Sequence, residues 1–143
     1  MRNVLVIAPH ADDETLGCGG TLLRHSAEGD STSWLIMTDG QESLGYSAEF
    51  IKRREKEIKN VAEMYNFNSV HRANFGATTL DTLPMNDIVA SISSVISEVE
   101  PEIIYIPNRG DAHTDHTYVY DAMASCTKTF RYPFIKKVMV YET

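Results

Sequence analysis

The amino-acid sequence predicts an α/β fold with a mainly parallel β-sheet, for three reasons. Short apolar runs rich in β-branched residues recur along the chain, and such runs are typical of strands buried on both faces of a sheet. Segments in which apolar residues recur at helical spacing lie between these runs. Strands that alternate with helices favour a parallel sheet, whose crossovers we expect to be right-handed.

Five segments are predicted to be strands. The first, at residues 4–8, is a continuous apolar run with β-branched side chains at three of its five positions. The third is weaker and has the character of an edge strand, and the fifth lies close to the C-terminus. The predicted strands cover residues 4–8, 34–37, 70–74, 103–106 and 138–141.

Helices are predicted between the strands. The segment at residues 85–99 carries a clean apolar stripe, which we interpret as core packing. Residues 40–45 and 76–84 are loop-like in their content of Gly, Ser, Thr and Pro. The predicted helices cover residues 19–28, 47–65, 85–99 and 115–127, so the expected organisation is one domain over residues 1–143.

Composition excludes several classes of protein. The chain has 143 residues, of which 43% are hydrophobic, so it can bury a core. Its net charge of −7 argues against binding a nucleic-acid phosphate backbone, and the basic stretch at residues 52–56 is interpreted as a solvated helix face. Cys18 and Cys126 lie far apart, which predicts neither a disulfide framework nor a cysteine zinc site. No signal peptide and no run of roughly 18 apolar residues is present, so we expect a cytoplasmic location.

Four ionisable side chains follow the first predicted strand directly. They are His10, Asp12, Asp13 and Glu14, and ligands of open α/β sheets bind at this end of the strands. Packing does not require such a cluster, because one Asp and one Gly would suffice for a turn. Three adjacent acids repel one another unless a positive charge lies among them, and a divalent cation would supply that charge.

A second cluster follows the fourth predicted strand. His113 and His116 stand at i and i+3, which places them on one side of a turn or of a helix start, and Asp115 lies between them. In a doubly wound sheet the first and fourth strands can be neighbours whose helices go to opposite faces. Loops from both strands would then meet in the crevice at the switch point.

Together the two clusters predict a catalytic metal site. His10, Asp13 and His116 would supply two imidazoles and a carboxylate, leaving coordination positions for water and substrate, as catalytic zinc requires. Other divalent metals suit the same ligands. A lone Asp in such a loop is usually a helix cap, but two clusters that each follow a buried strand favour the metal site. His25 and His71 lack such neighbours and are interpreted as structural or exposed.

Two other functions stay open at this point. Two histidines and a carboxylate also form the triad of non-haem iron enzymes, which would make the protein a redox enzyme. The glycines at residues 17–20, followed by Asp39 after the second strand, resemble half of a dinucleotide fingerprint, which would indicate a non-catalytic nucleotide-binding module. Against the second, Leu22 stands where the third glycine should, and the acids at 12–14 would repel a pyrophosphate.

Residues 8–22 (APHADDETLGCGGTL) and 111–116 (DAHTDH) together closely resemble the PIG-L/LmbE-type zinc-dependent N-deacetylase family. The Thr-Asp-Gly at 38–40 and the helix around Arg54 also look like that family. The resemblance runs from Val4 to Tyr141. It implies a Rossmann-like three-layer sandwich, and hydrolysis of an N-acetyl group or a related amide on a glucosamine-type sugar or sugar conjugate.

The resemblance also implies roles for individual residues. His10, Asp13 and His116 match the zinc ligands of the family. Asp12 matches its general base, and His113 matches the histidine that assists the oxyanion and the leaving amine.

Three further residues match the family with less specific roles. Asp115 matches the acid between the two histidines, which supports them. Arg54 and Asp81 fall near positions that touch the sugar.

Two departures from the family accompany these matches. Ala11 replaces the usual Pro at a position that supplies no ligand. Family members also continue well past the last predicted strand, and that later part helps form the substrate pocket. The resemblance therefore implies that this chain lacks the family's C-terminal part. The oligomeric state is left open, with an oligomer among the possibilities.

Overall fold

The computed structural model describes residues 1–143 and contains five strands, four α-helices and two short 3-10 helices. The 3-10 helices, Glu42–Leu44 and Leu80–Thr82, lie within the two segments predicted as loops. The main elements are β1 (Asn3–Ala8), α1 (Asp13–Ala27), β2 (Ser31–Asp39), α2 (Ala48–Tyr65), β3 (Ser69–Gly76), α3 (Met85–Val99), β4 (Ile103–Pro107), α4 (Thr114–Ala124) and β5 (Lys137–Tyr141).

The strands form one sheet in the order β3-β2-β1-β4-β5, and every neighbouring pair is parallel. The predicted parallel sheet is therefore confirmed, and β3 is an edge strand as expected. β1 and β4 are neighbours, with Val6 opposite Tyr105. The chain crosses back over the sheet between β3 and β4, so the switch point lies between β1 and β4.

Helices cover both faces of the sheet, which confirms the three-layer architecture. Successive residues of β1 point to opposite faces: Leu5 and Ile7 pack with α3 and α4, whereas Val6 and Ala8 pack with α1 and α2. Because both faces are covered, β1 is apolar at consecutive positions and fully buried from Val4 to Ala8. No helix combines the length and the apolar character that crossing a bilayer would require.

Element boundaries differ from the prediction in two places that bear on the site. α1 begins at Asp13 and not at residue 19, with non-helical backbone angles at Cys18 (φ −145°, ψ 23°). The glycines around this kink have low helix propensity, so the sequence pattern did not indicate the helical turn that precedes them. β2 extends from Ser31 to Asp39 because buried polar residues such as Thr32 and Thr38 continue the strand beyond its apolar centre.

Gly17 allows α1 to lie unusually close to β5. A Cβ atom at this position would lie 2.1 Å from Cδ2 of Tyr141. The Tyr141 hydroxyl donates a hydrogen bond to the carbonyl of Ile7 (2.8 Å), which ties the end of β5 to β1 across β4. This contact assigns Gly17 a packing role.

An ion cluster around the buried Asp30 joins the starts of β1 and β2 to the end of α1. His25, interpreted from the sequence as structural or exposed, is buried and donates from Nδ1 to Asp30 (2.8 Å). The Arg2 guanidinium donates from Nε to Asp30 (3.0 Å) and from Nη2 to Glu28 (2.7 Å). His25, Glu28 and Asp30 are close enough to hold a metal ion, but Arg2 already supplies the positive charge. Hydrogen bonding by Arg2, helped by His25, holds the pKa of Asp30 well below its usual range.

Replacing Asp30 by Asn tests this cluster through pH. The pKa of Asp30 is lower in the folded chain than in the unfolded one, so its stabilisation is complete above about pH 4 and is lost as the pH falls through the folded value. We expect Asp30→Asn to lower the free energy of unfolding near neutral pH by about 1–3 kcal/mol. The gap from wild type should narrow below about pH 4.

Urea unfolding followed by circular dichroism at a series of pH values measures this gap. The exposed Glu63→Gln substitution in α2 serves as the control, since Glu63 makes no ion pair. A gap for Asp30→Asn that stays constant through the acid range would contradict the predicted role of the carboxylate.

Candidate metal centre

The candidate site lies where the carboxyl ends of β1 and β4 meet. The loop at residues 9–12 leaves β1, the loop at 108–113 leaves β4, and α1 and α4 begin directly after them. Thr38 holds the first loop against β2, because its backbone N–H (3.1 Å) and its hydroxyl (2.7 Å) both donate to the carbonyl of Pro9. The topology therefore brings the two predicted clusters to one place.

The structure brings His10, Asp13 and His116 together. One ligand atom from each lies within 4.8 Å of the others. Oδ2 of Asp13 is 3.3 Å from Nδ1 of His10 and 3.2 Å from Nε2 of His116. Ligand bonds of 2.0–2.1 Å at tetrahedral angles separate ligand atoms by about 3.3 Å. The donor set therefore fits a tetrahedral metal ion.

A carboxylate stands behind each of the two imidazoles. Nε2 of His10 donates to Oδ2 of Asp115 (2.9 Å), and Nδ1 of His116 lies 3.5 Å from Oδ2 of Asp111. The bond to Asp115 fixes the ring orientation and the tautomer of His10, whereas Nδ1 of His116 is buried without a hydrogen-bond partner and Asp111 is the carboxylate on that side of the ring. No role was predicted for Asp111, although it stands in the same six-residue segment as His116.

Asp115 is completely buried and fully hydrogen-bonded. Besides His10, it accepts from the backbone N–H groups of Thr78 (2.8 Å) and Leu80 (3.3 Å). His10, His113 and Asp115 form a second group with metal-binding spacing. Because the oxygens of Asp115 are already engaged, this residue is better placed to orient His10 than to bind an ion.

The electrostatics of the site call for a positive charge. Burial opposes ionisation of Asp13, but hydrogen bonds with His10 and His116 hold its pKa well below the usual range. Burial also opposes the charge on His10, yet hydrogen bonds to Asp115 and Asp13 outweigh it and raise the pKa of His10 to about 9. Asp13 and Asp115 thus place negative charge around His10, which a proton on the imidazole or a bound cation would offset.

Asp12 lies beside the ligand group with its carboxylate free. It is the N-cap residue of α1, but its side chain does not cap the helix. The residue is exposed, and together with His10 and Ala11 it lines a cavity of about 110 Å³, which we call the inner cavity. A carboxylate in this position can accept a proton from a molecule held in the inner cavity.

His113 lies on the other side of His10. Its ring centroid is 4.4 Å from that of His10, and its Nδ1 accepts a hydrogen bond from the backbone N–H of Asp115 (3.1 Å). In the neutral ring the proton must then be on Nε2, which is free to donate to another group.

Glu14 does not join the ligand group. The first turn of α1 directs it into the protein, where burial raises its pKa to about 7. Oε1 accepts from the Thr15 hydroxyl (2.8 Å), and Oε2 is buried without a hydrogen-bond partner. Glu14 is therefore not part of the site, although it is adjacent in sequence to Asp13.

The two predicted substrate residues have different positions. Arg54 is half-buried at the inner cavity, where Nη1 donates to the carbonyl of Ala11 (3.3 Å), so the stretch at 52–56 is not wholly a solvated face. Asp81 is exposed and lines neither the inner cavity nor the larger one beside it. Contact between Asp81 and a sugar stays a prediction.

Relatives of known name support the resemblance seen in the motifs. The chain is 29% identical over 147 aligned positions to the uncharacterized deacetylase YaiS of Escherichia coli, covering 99% of this chain and 74% of the relative. It is 31% identical to the diacetylchitobiose deacetylase of Thermococcus kodakarensis, over 82% of this chain and 46% of that protein. The relatives are therefore longer than the chain, as the resemblance implied.

A solved structure has the same fold. The conserved protein TT1542 of Thermus thermophilus superimposes with a TM-score of 0.82 and 27% identity, over 100% of this chain and 67% of that one. The model of the PIG-L family, described as GlcNAc-PI de-N-acetylase, matches residues 5–127. The family description and the names of both relatives are those of deacetylases. This chain belongs to the PIG-L family.

Proposed function

We propose that this chain is a metal-dependent hydrolase that removes an N-acetyl or related acyl group from a glucosamine-type sugar or sugar conjugate. The observation that carries the proposal is the arrangement around Oδ2 of Asp13, which lies within 3.3 Å of one nitrogen from each of two imidazoles. Asp12 and His113 adjoin this group with free proton-transfer atoms. Membership of a deacetylase family supports the same reaction.

The proposed cofactor is Zn²⁺, held by His10, Asp13 and His116. Two imidazoles and one carboxylate are a common ligand set of catalytic zinc, and the spacing of the three atoms fits its tetrahedral geometry. Other divalent metals accept the same ligands, so the identity of the metal is a matter for measurement. A bound ion would polarise the amide carbonyl and make water more acidic.

The chain's own residues would move the protons of the reaction. Asp12 takes a proton from the attacking water as the oxygen forms its bond to the carbonyl carbon. The Nε2–H of His113 donates a hydrogen bond to the developing oxyanion, and the proton that Asp12 has taken passes to the departing nitrogen. The carbon–nitrogen bond breaks, and acetate and a free amine leave. Asp115 takes no proton and keeps His10 in orientation.

Arg54 is the residue proposed to bind the substrate. It faces the inner cavity, where it would hold a hydroxyl of the amino sugar. The partner is thus a small amino-sugar compound and not a nucleic acid. A single domain over residues 1–143, a cytoplasmic location and the oligomeric state stay predictions.

The two rival functions fit this structure less well. The ring of Tyr141 and the hydroxyl of Tyr65 occupy the space where side chains at Gly17 and Gly19 would lie, which favours a packing role for these glycines over a nucleotide-binding turn. The iron-dependent redox enzyme shares the ligand set, but a deacetylase family favours hydrolysis.

A deacetylation assay tests the proposal directly. N-acetylglucosamine derivatives are incubated with the chain, and the free amine is detected with an amine-reactive fluorophore. We expect release that is abolished by chelator and restored by added Zn²⁺, under anaerobic conditions as well as in air. No amine release with any divalent metal would overturn the proposed activity.

The Asp12→Asn substitution tests the general base. The variant should keep its metal, because Asp12 contributes no ligand, while kcat falls by about 10²–10⁴. Metal content is measured by atomic emission, and turnover by the amine assay. The exposed Asp87→Asn substitution in α3 is the matched control. Normal turnover by Asp12→Asn would exclude its role as base.

The Asp111→Asn substitution tests the support behind His116. Losing the carboxylate 3.5 Å from Nδ1 should weaken metal binding by about 10–100-fold, while His116→Ala should abolish it. Competition with a chromogenic chelator measures the affinity, and Asp87→Asn again serves as control. Unchanged affinity in Asp111→Asn would show that Asp111 does not support the ligand.

A further inference from the structure

A larger cavity adjoins the inner one and takes no part in the reaction described above. This outer groove has a volume of about 630 Å³ and lies between the first half of α2 and the ends of β2 and β3. The two cavities share the lining residues Asp39, Gly40, Phe50 and Arg54. The inner cavity, at about 110 Å³, has the volume of only about four water molecules. It has room for an acetamide group, so the rest of a substrate must extend outward.

The ionisable residues of the outer groove balance one another. Arg72 donates to both Asp39 and Glu55, with 2.9 and 3.1 Å to the two oxygens of Glu55. Phe50 adds an aromatic ring where the two cavities meet. A charged ligand gains little electrostatic binding energy from a lining whose charges cancel, whereas the binding of a neutral polar ligand is not weakened by such a lining. The lining holds three carboxylates and three cations, namely Asp39, Glu42, Glu55, Lys52, Arg54 and Arg72.

A β-bulge directs an amide side chain to this groove. Ile36 lies opposite Arg72 but Thr38 lies opposite Phe75, so β3 has one residue more than β2 over this interval. Within the bulge Asn74 has a φ of +60°, a left-handed conformation that Asn tolerates better than most residues. Bulges beside active sites re-aim side chains, and Asn74 is exposed and lines the groove.

A second amide side chain, that of Gln41, lies beside Asn74 and forms one wall of the groove with it. Nε2 of Gln41 donates to the carbonyl of Asn74 (3.1 Å), and Nδ2 of Asn74 donates to the carbonyl of Arg72 (3.3 Å). These bonds fix the two amides and leave the oxygen of each free to accept. Amides offer donors and acceptors together, as hydroxyl groups do, so this wall complements a ligand rich in hydroxyls.

On the basis of the proposed function, we infer that the outer groove binds the second unit of the substrate. This unit is an uncharged, hydroxyl-rich ring such as another sugar or a cyclitol. Asn74 is the specificity-determining residue of this unit. The groove therefore selects sugar conjugates with a neutral second unit over those with an anionic one.

The Asn74→Gly substitution tests this inference with little risk to the fold, because Gly adopts a φ of +60° without strain. Asn66→Gly is the matched control: Asn66 ends α2 with a φ of +57° and lies outside the groove. Three ligands are compared, namely the methyl glycoside of N-acetylglucosamine, diacetylchitobiose, and a malic acid glycoside of N-acetylglucosamine.

For wild type we expect kcat/KM to be about tenfold higher with diacetylchitobiose than with the malic acid glycoside. Asn74→Gly should raise KM for diacetylchitobiose by about fivefold, the effect of one net hydrogen bond, and leave the methyl glycoside unchanged. Asn66→Gly should behave as wild type. Equal or better use of the anionic glycoside, or equal KM values for the two Gly variants, would overturn the inference.

Saturation-transfer NMR separates this inference from the proposed activity. The reducing-end ring of diacetylchitobiose should receive saturation from wild type and Asn66→Gly, and much less from Asn74→Gly. That result without any turnover would refute the proposed deacetylase activity and support ligand binding in the outer groove. Turnover without saturation of the reducing-end ring in any of the three proteins would refute ligand binding in the outer groove but not the proposed deacetylase activity.

Discussion

The parallel pairing of β1 with β4 is the constraint on which the site depends. The register sets Val4, Leu5 and Val6 opposite residues 103–105, so the two strands end side by side. Each strand is followed by a loop and a helix start that carry the ligand-type residues. A register shift of one residue would exchange the side chains that β1 sends to its two covered faces, so the packing of both faces fixes the pairing and with it the distance between His10 and His116.

The charges of the site follow from this geometry. Three buried or half-buried carboxylates, at positions 13, 111 and 115, surround two imidazoles. Each imidazole has a carboxylate behind it and shares Asp13 in front. A cation between the rings and Asp13 would therefore enter a site whose ligands are already oriented, and little reorganisation would oppose its binding.

The sequence predicted the five strands, the four helices except for the start of α1, and the convergence of the two clusters, because apolar periodicity and the order of elements largely decide a parallel α/β sheet. It did not predict the inward turn of Glu14 or the contact of Asp111 with His116. Both depend on side-chain direction within one helical turn, which spacing alone does not give. The helical turn at residues 13–17 was concealed by Gly17 and Gly19, whose role is close packing against Tyr141 and Tyr65.

The groove beyond the site shows why local irregularity is informative. Arg72 and Asn74 line the groove while Ala73 and Phe75 pack against the core, and the one-residue bulge changes how this segment pairs with β2. The bulge gives the ladder an unpaired residue and places Asn74 in a left-handed conformation, both of which cost stability. Asn74 itself is exposed, so its conformation buries no apolar surface of its own. A strained, exposed amide at the rim of a cavity is better explained by what it contacts when a ligand is bound.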